Sequence, residues 1–428
     1  MTDLSDSPLR ILVLSNMYPP HHLGGYELSC RDVVQRWRSR GHHVTVLTSD
    51  LDLGKGQDDD PDVRRTLRFY WDNFEILKPP FRERLAMERS NQTQLERAID
   101  EAKPDVVSAW NMGAMSLGLL TSVGHIGLPL VLVICDDWLI YAPLIDAWTR
   151  GFRRWPIGPS LGKKLLGVPT HFRPEQSITT GCFISETVRA RAIGNARWAP
   201  ARTMIAYNGI DTADFPLRTP EQRDWRWSLL YVGRVEERKG IGVAVEALAN
   251  LPQQATLTID GPVDDSFMPR LRARIDELDV RDRVTFQLSA RAELQGLYAA
   301  ADAVLFPVLW EEPFGLVPLE AMACATPVIA TGTGGSGEFL LGEVNCLIAK
   351  PGDAGGLAAA AHRLANDPDL RNRIVLAGLT TAEALGVDEY AHVLEAWHRA
   401  AADRYRQGEP PARRPIGELL APLRDSKD

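Results

Sequence analysis

The sequence predicts an α/β protein of two units, each built on a parallel sheet, and three observations predict it. Apolar runs of strand length recur along the chain, with helically spaced apolar positions between them. The first three segments alternate strand, helix and strand, the connection that builds parallel sheets. At 428 residues the chain is long for one core, and a fresh series of strand-like runs begins at Leu229, past a turn-rich stretch near residues 207–218.

The elements follow in order. RILVLSN, from Arg10, is short and continuously apolar, as a strand buried on both faces should be. The chain breaks at Tyr18-Pro19-Pro20 and reaches Gly24-Gly25, where a helix starts with Tyr26, Cys30, Val33, Val34 and Trp37 on one face. Gly41 suits its C-terminal cap, and HVTVLTS is the next strand. DVVSAW (105–110), LPLVLVICD (128–136) and SITTGCFIS (177–185) read as further strands, the last ending at Ser185, a helix N-cap. ARTMIAYNGID (201–211) is a strand entering a turn at Asn208-Gly209, taken as the hinge. The second series is LLYVG (229–233), TLTIDG (256–261), RVTFQ (283–287), DAVLFP (302–307) and TPVIAT (326–331). Segments 353–366, 369–385 and 388–406 read as Ala-rich helices, and 407–428 as a loose polar tail. Residues 141–176 carry no assignable pattern. The boundaries expected are 1–207, 208–387 and 388–428, the last a helix returning toward the first domain plus the tail. Two sheets facing each other would set their strand C-terminal ends at a shared cleft.

Composition narrows the function. With 45% hydrophobic and 24% charged residues this is an ordinary globular chain, and a net charge of −8 with no basic tail argues against nucleic acid. Five scattered cysteines without a CxxC pair suit a reducing cytoplasm. The apolar run after the polar N-terminus is too short for a signal peptide, and no window approaches a membrane span. Arginine far outnumbers lysine among the 48 basic residues, which reads as bacterial coding bias.

Two stretches carry chemistry. In GRVEERKG (233–240), Arg234 and Lys239 lie between a strand and a helix starting near Ile241. A helix N-terminus with two cations beside it suits a diphosphate without a metal; the alternative is a solvated turn in which Glu236, Glu237 and Arg238 pair together. In LWEEPFGLVPLEAM (309–322), Glu312 follows a strand, Pro318 suits the first turn of a helix, and Glu320 is expected in that turn. Each carboxylate can accept two hydrogen bonds from a vicinal diol, and Gly315 lets backbone amides approach a ligand. The alternative is a pair of helix-start acids favoured by the dipole.

These residues carry a resemblance. EEPFGLVPLEAMACATPVIAT resembles the Glu-x7-Glu signature of retaining GT-B glycosyltransferases, family 4 in particular. LSNMYPPHHLGGYE is similar to the family's Gly-Gly-x-Glu loop, FISETVRARAI and YNGID to its mid-chain signature, VGRVEERKG to its phosphate loop, and TGGSGEFL to its late Gly-rich loop. The resemblance spans nearly the whole chain. It implies the GT-B fold, two Rossmann-like α/β domains facing a central cleft, with an acceptor-binding first domain and a nucleotide-sugar-binding second. It implies that Arg234 and Lys239 bind the nucleotide diphosphate, Glu312 the donor sugar's hydroxyls and Glu320 the ribose diol. The amides of Phe314, Gly315 and Leu316 would touch donor sugar and phosphates, and Gly24 and Gly25 would close over the diphosphate. The co-substrate is a nucleotide diphosphate sugar, UDP or GDP, with no permanently bound cofactor.

The family's usual His-Asp pair is replaced by VICDDW, with Cys135 at the His place. Asp136 is the acid expected to hold a sugar hydroxyl or take the acceptor's proton, with Asp137 and Trp138 on the acceptor side; Cys135 reads as a small buried residue. Ala325 stands where the family favours Gly, and a left-handed backbone there would cost about 1 kcal/mol. Residues 148–166 are basic and aromatic, read as a solvated insertion in preference to an acceptor loop or a membrane-surface contact. The acceptor, a small molecule, glycan or lipid-linked hydroxyl, is expected in N-terminal loops near 57–100 and 139–176. His42 and His43 are expected exposed, and no cluster has metal-ligand spacing. A nicotinamide dehydrogenase is disfavoured because no GxGxxG follows the first strand. A GT-B sugar epimerase and a non-catalytic nucleotide-sugar-binding subunit remain as rivals.

Overall fold

A computed structural model describes residues 7–54, 56, 60–72, 75–154, 158–211, 213–217 and 224–404. The tail 407–428, expected loose, lies outside the described residues, as do residues 155–157 of the basic stretch. The chain divides into two compact units: one reaches Ala206 and resumes from Tyr390, the other runs Tyr207–Glu389.

In the first unit the elements are β1 (Arg10–Ser15), α1 (Gly25–Ser39), β2 (His43–Ser49), β3 (Val63–Leu67), a short antiparallel ribbon of β4 (Trp71–Asp72) and β5 (Glu75–Ile76), α2 (Phe81–Ala102), β6 (Val106–Ala109), α3 (Gly118–Ile126), β7 (Leu130–Ile134), α4 (Trp138–Ile145), α5 (Thr149–Phe152), α6 (Pro159–Leu166), β8 (Thr179–Phe183), α7 (Glu186–Asn195) and β9 (Arg202–Ile205). Its 7-stranded sheet is parallel in the order β3-β2-β1-β6-β7-β8-β9. Ile11, Leu12, Val13 and Leu14 are all buried, which is why β1 shows no apolar–polar alternation. Helix α1 buries Cys30, Val33, Val34 and Trp37 and stops before Gly41, whose φ is +91°. Ser185 Oγ accepts the Val188 N–H and starts α7.

The second unit contains β10 (Ser228–Val232), α8 (Ile241–Ala249), β11 (Thr256–Asp260), α9 (Met268–Glu277), β12 (Val284–Gln287), α10 (Arg291–Ala300), β13 (Ala303–Phe306), α11 (Leu316–Ala323), β14 (Val328–Ala330), β15 (Leu347–Ile348), α12 (Ala354–Asn366) and α13 (Pro368–Ala384). Its 6-stranded parallel sheet has the order β12-β11-β10-β13-β14-β15. Ala325 adopts φ +57°, the left-handed backbone that the sequence flagged.

The chain ends its described part with α14 (Val387–Ala402), which from Tyr390 belongs to the first unit. Trp37 donates its indole N–H to the Ala391 carbonyl at 3.0 Å and packs on His398 at 4.7 Å. Glu395 pairs with Arg40 at 2.9 Å and with His42 at 3.0 Å. This corrects the expectation for His42, which is buried rather than exposed and accepts the Leu9 N–H through Nδ1. Its partner lies in the last helix, so no local pattern announces the burial. Residues 57–100 and 139–176 are not loop throughout either: they contain β3, most of α2, and α4 to α6.

In both sheets the strand order reverses. β1 lies between β2 and β6, and β10 between β11 and β13. Loops leaving the C-terminal ends of such neighbours diverge, opening a crevice at that edge. No helix of the described residues is long and apolar enough to cross a membrane.

Candidate functional site

The second unit's reversal point gathers most of the expected donor residues. The loop after β10 holds Arg234 and, in a turn of 3-10 helix, Lys239; the loop after the neighbouring β13 holds Glu312. Lys239 Nζ donates to Glu312 Oε2 at 2.7 Å, and Trp310 Nε1 donates to the same oxygen at 2.9 Å. The pair is largely buried, with side-chain exposures of 17% and 11%. Arg238 stacks over the Trp310 ring at 4.2 Å, and its carbonyl accepts the Leu309 N–H at 2.9 Å.

Glycines lock the two loops together. Gly240, at φ +74°, caps α8 and lies so close to β13 that a Cβ there would sit 1.8 Å from the Pro307 carbonyl oxygen. Gly334, at φ +62°, is pressed onto Glu312: a Cβ would meet the Glu312 N and O at 2.6 Å, and Gly335 N–H donates to the Glu312 carbonyl at 2.7 Å. The late Gly-rich loop therefore fixes the backbone of the first acid.

Arg234 is half exposed and lies 3.6 Å from Glu236, which Arg238 also contacts at 2.7 Å. The self-paired turn weighed from the sequence is thus present around Glu236, while Lys239 turns to Glu312. Phe314 is buried between Tyr207 at 6.1 Å and Phe339 at 5.0 Å, so only its backbone is offered to a ligand. Gly315, at φ +93°, caps α11, and Leu316 is its first residue.

Glu320 is the fifth residue of α11, which corrects its expected place in the first turn. The helix begins at Leu316, ahead of Pro318, and its first turn carries no acid, so a dipole-favoured helix-start role does not describe Glu320. Glu320 accepts the Tyr298 hydroxyl at 2.7 Å and approaches Arg291 at 3.5 Å, itself paired to Asp214 at 2.8 Å. Burial pushes its carboxyl up from the ordinary range, against Arg291 and Tyr298, which lower it.

In the first unit, Asp136 follows the end of β7. It accepts the Trp138 N–H at 2.9 Å and the Tyr141 hydroxyl at 3.0 Å. Burial drives its carboxyl to about 6, opposed by those two hydrogen bonds and aided by the charges of Asp137 and Glu27. The Gly24-Gly25 turn is a neighbour: Gly24 is the N-cap of α1, Glu27 accepts its N–H at 3.0 Å, and Tyr26 donates to the Val133 carbonyl. Both glycines are exposed. Asp137 pairs with Arg191 at 2.7 Å, and Trp138 is fully buried, presenting no surface to an acceptor. Cys135 is buried, its thiol pushed well up by that burial.

Sequence reasoning missed Trp310, Tyr298, Arg291 and Tyr141, the side chains that hold the three acids. Trp310 stands two residues before Glu312, a visible signal; Tyr298 and Arg291 lie on a different helix from Glu320 and gave none. Among the described residues no group of three or more His, Cys, Asp or Glu is arranged to hold a metal.

Comparison with known proteins gives the family and the fold. The family model "Glycosyltransferase Family 4" matches residues 23–214 and "Glycosyl transferases group 1" matches residues 218–379. Glycogen synthase of Mycobacterium tuberculosis is 36% identical over 384 residues, 85% of this chain and 88% of that protein. Among solved structures, sucrose-phosphate synthase from Thermosynechococcus elongatus aligns with a TM-score of 0.66 at 21% identity, covering 93% of this chain and 98% of the other. Anabaena HepE in complex with UDP and glucose aligns at 0.65 and 20% identity, covering 90% and 98%.

Proposed function

The chain belongs to the family 4-like glycosyltransferases and has their GT-B fold, and from that premise we propose that it moves a sugar from a nucleotide diphosphate to an acceptor hydroxyl, with retention at the anomeric carbon and without a metal. The observation that carries the donor half is the Lys239–Glu312 pair, 2.7 Å apart at the second unit's reversal point. UDP is favoured over GDP by the relative solved with UDP and glucose.

In this reading the bond from the anomeric carbon to the diphosphate oxygen breaks, and its electron pair leaves on the diphosphate. Lys239, Arg234 and the free amides at the start of α8 take up that charge electrostatically. The acceptor oxygen bonds to the anomeric carbon from the face the diphosphate leaves, and its proton passes to the departing phosphate. Glu312 and the amides of Phe314, Gly315 and Leu316 hold the donor sugar; Glu320 holds the ribose diol through the oxygen that meets Arg291 only at 3.5 Å. Asp136 hydrogen-bonds a sugar hydroxyl. The acceptor is a small-molecule, glycan or lipid-linked alcohol, and the working compartment is the cytoplasm.

The test is ligand-dependent melting, since binding raises apparent stability by mass action. The wild type melts higher with UDP or GDP, and Lys239→Met/Glu312→Gln, which leaves no unpaired buried ion, loses that shift. A double variant that keeps the wild-type shift sinks the donor assignment. A wild type that binds UDP-sugar yet releases no nucleoside diphosphate with any acceptor is a binding subunit instead.

A further inference from the structure

The first unit contains a cavity of about 770 Å³ that shares no lining residue with the Asp136 cluster. Arg150, Arg153, Arg154, Arg173 and Arg197 line it, and among the described residues no carboxylate does. Phe172 and Trp198, edge to face at 5.4 Å, form an aromatic wall. The arginines come from separate places: three from in and around α5, one from the stretch leading into β8 and one from the stretch between α7 and β9.

The net charge of the chain is −8, and several guanidinium groups meet carboxylates, as in Arg38–Asp60, Arg40–Glu395, Arg191–Asp137 and Arg363–Glu343, while others, such as Arg84 and Arg283, donate to backbone carbonyls. Among the described residues none of the five cavity arginines forms an ion pair; Arg150 reaches only the Leu144 carbonyl, at 3.2 Å. Like charges lining one concavity repel and focus a positive potential that only an anion relieves. His171 in the same lining registers it: burial lowers its tendency to protonate, and Arg173 lowers it further.

We propose that this cavity is a phosphoryl-binding site, separate from the β10–α8 loop, that takes an organic phosphate with its charged group on the arginines and its carbon skeleton on Phe172 and Trp198. Guanidinium forks match phosphate oxygens two at a time. The cavity is much larger than a lone phosphate requires, and its aromatic wall gives an attached apolar or sugar group a surface. The source is a soluble phosphate ester or a lipid phosphate headgroup.

The test uses the full chain carrying Lys239→Met/Glu312→Gln, so that the donor loop does not take the probe. Its failure is then distinct from failure of the glycosyl-transfer reading. Inorganic pyrophosphate is titrated calorimetrically at low and high salt, and flotation is measured with phosphatidylglycerol and with phosphatidylcholine vesicles. Expected is saturable pyrophosphate binding that weakens with salt and falls at least about tenfold on adding Arg153→Gln/Arg154→Gln/Arg173→Gln. Flotation with phosphatidylglycerol alone that the same substitutions abolish assigns the lipid source; pyrophosphate binding without flotation assigns the soluble one. The three arginines are exposed, so the variant should melt with its parent. If the substitutions change neither pyrophosphate binding nor flotation, the proposal is overturned.

Discussion

Gly240→Ala tests how tightly the loops after β10 and β13 are joined. Two contributions follow from the structure. Gly240 has φ +74°, a left-handed backbone that costs an alanine about 1–2 kcal/mol. Its new Cβ would also lie 1.8 Å from the Pro307 carbonyl oxygen and 2.7 Å from the carbonyl carbon, backbone atoms at the end of β13. Reaching ordinary contact requires a displacement of more than about 1 Å, and overpacking of this kind typically costs about 1–3 kcal/mol. The sum is a loss of roughly 2–5 kcal/mol in the second unit. Lys239 is the adjacent residue, so the same displacement moves its ammonium relative to Glu312; misplacement by about 1 Å can lower turnover about a hundredfold. The control is two residues away. Gly242 lies inside α8 with nothing within 4 Å of an added Cβ. Gly242→Ala should therefore gain about 0.5–1 kcal/mol of stability. Denaturant unfolding and UDP titration of the two variants, side by side, are the assay. Wild-type stability and UDP affinity in Gly240→Ala, or equal damage from Gly242→Ala, would refute the interlock.

Further outcomes follow from the same geometry. Asp136 sits at about 6 against an ordinary 3.8, so the folded state binds its proton more tightly than the unfolded chain does, and stability falls as pH rises from about 4 through 6. Asp136→Asn should thus gain up to about 3 kcal/mol at pH 7.5 and nothing at pH 3.5, read by denaturant unfolding, while turnover falls; an equal effect at both pH values contradicts the burial account. Glu312→Gln frees Lys239 from its partner and should tighten free UDP about threefold to tenfold while costing about 1–3 kcal/mol of stability; calorimetry that finds UDP weakened instead removes the competition between carboxylate and phosphate. Ala325→Gly relieves the φ +57° backbone and should raise stability by up to about 1 kcal/mol, the greater freedom of glycine in the unfolded chain offsetting part of the gain. Thermal melting checks it, and a fall in stability would show that the alanine methyl packs usefully.

The strands were legible because parallel strands are covered on both faces. Every residue of β7 is buried, and the run LVLVI needs no partner to be recognised. Helix α1 was legible because Cys30, Val33, Val34 and Trp37 recur at helical spacing on its buried face, although Glu27, Ser29 and Asp32 are buried too. Helix α2 was not, although it is 22 residues long, because its inner face carries Glu88, Asn91 and Gln92 in place of apolar side chains. Each is satisfied from a distant segment. Asn91 holds both backbone groups of Arg68, Gln92 accepts from Ser122, and Glu88 accepts from Tyr70 and Ser116. Burial carries a buried acid up to about 8 at Glu88. A hydrophobic pattern cannot reveal a polar face whose partners lie in other elements.

The candidate site divides along the same line. Lys239, Glu312 and Glu320 stood out because charged side chains beside Gly and Pro are conspicuous in a loop. What holds them in place was silent in the sequence. Gly240 and Gly334 act through steric contact with the backbone of Pro307 and Glu312, which no spacing encodes. That contact has a consequence for the chemistry proposed. The loops after β10 and β13 leave neighbouring strands, yet the Leu309 N–H donated to the Arg238 carbonyl ties them together, and the Gly335 N–H donated to the Glu312 carbonyl adds the late Gly-rich loop. Lys239 is then already oriented, and its charge already matched, by Glu312. A diphosphate that captures Lys239 must displace this carboxylate, and in doing so it releases Glu312 Oε2 to accept from a sugar hydroxyl. Binding the leaving group and binding the sugar are on this account one coupled event, and the coupling resides in a single hydrogen bond of 2.7 Å between two loops that sequence analysis treated as separate motifs.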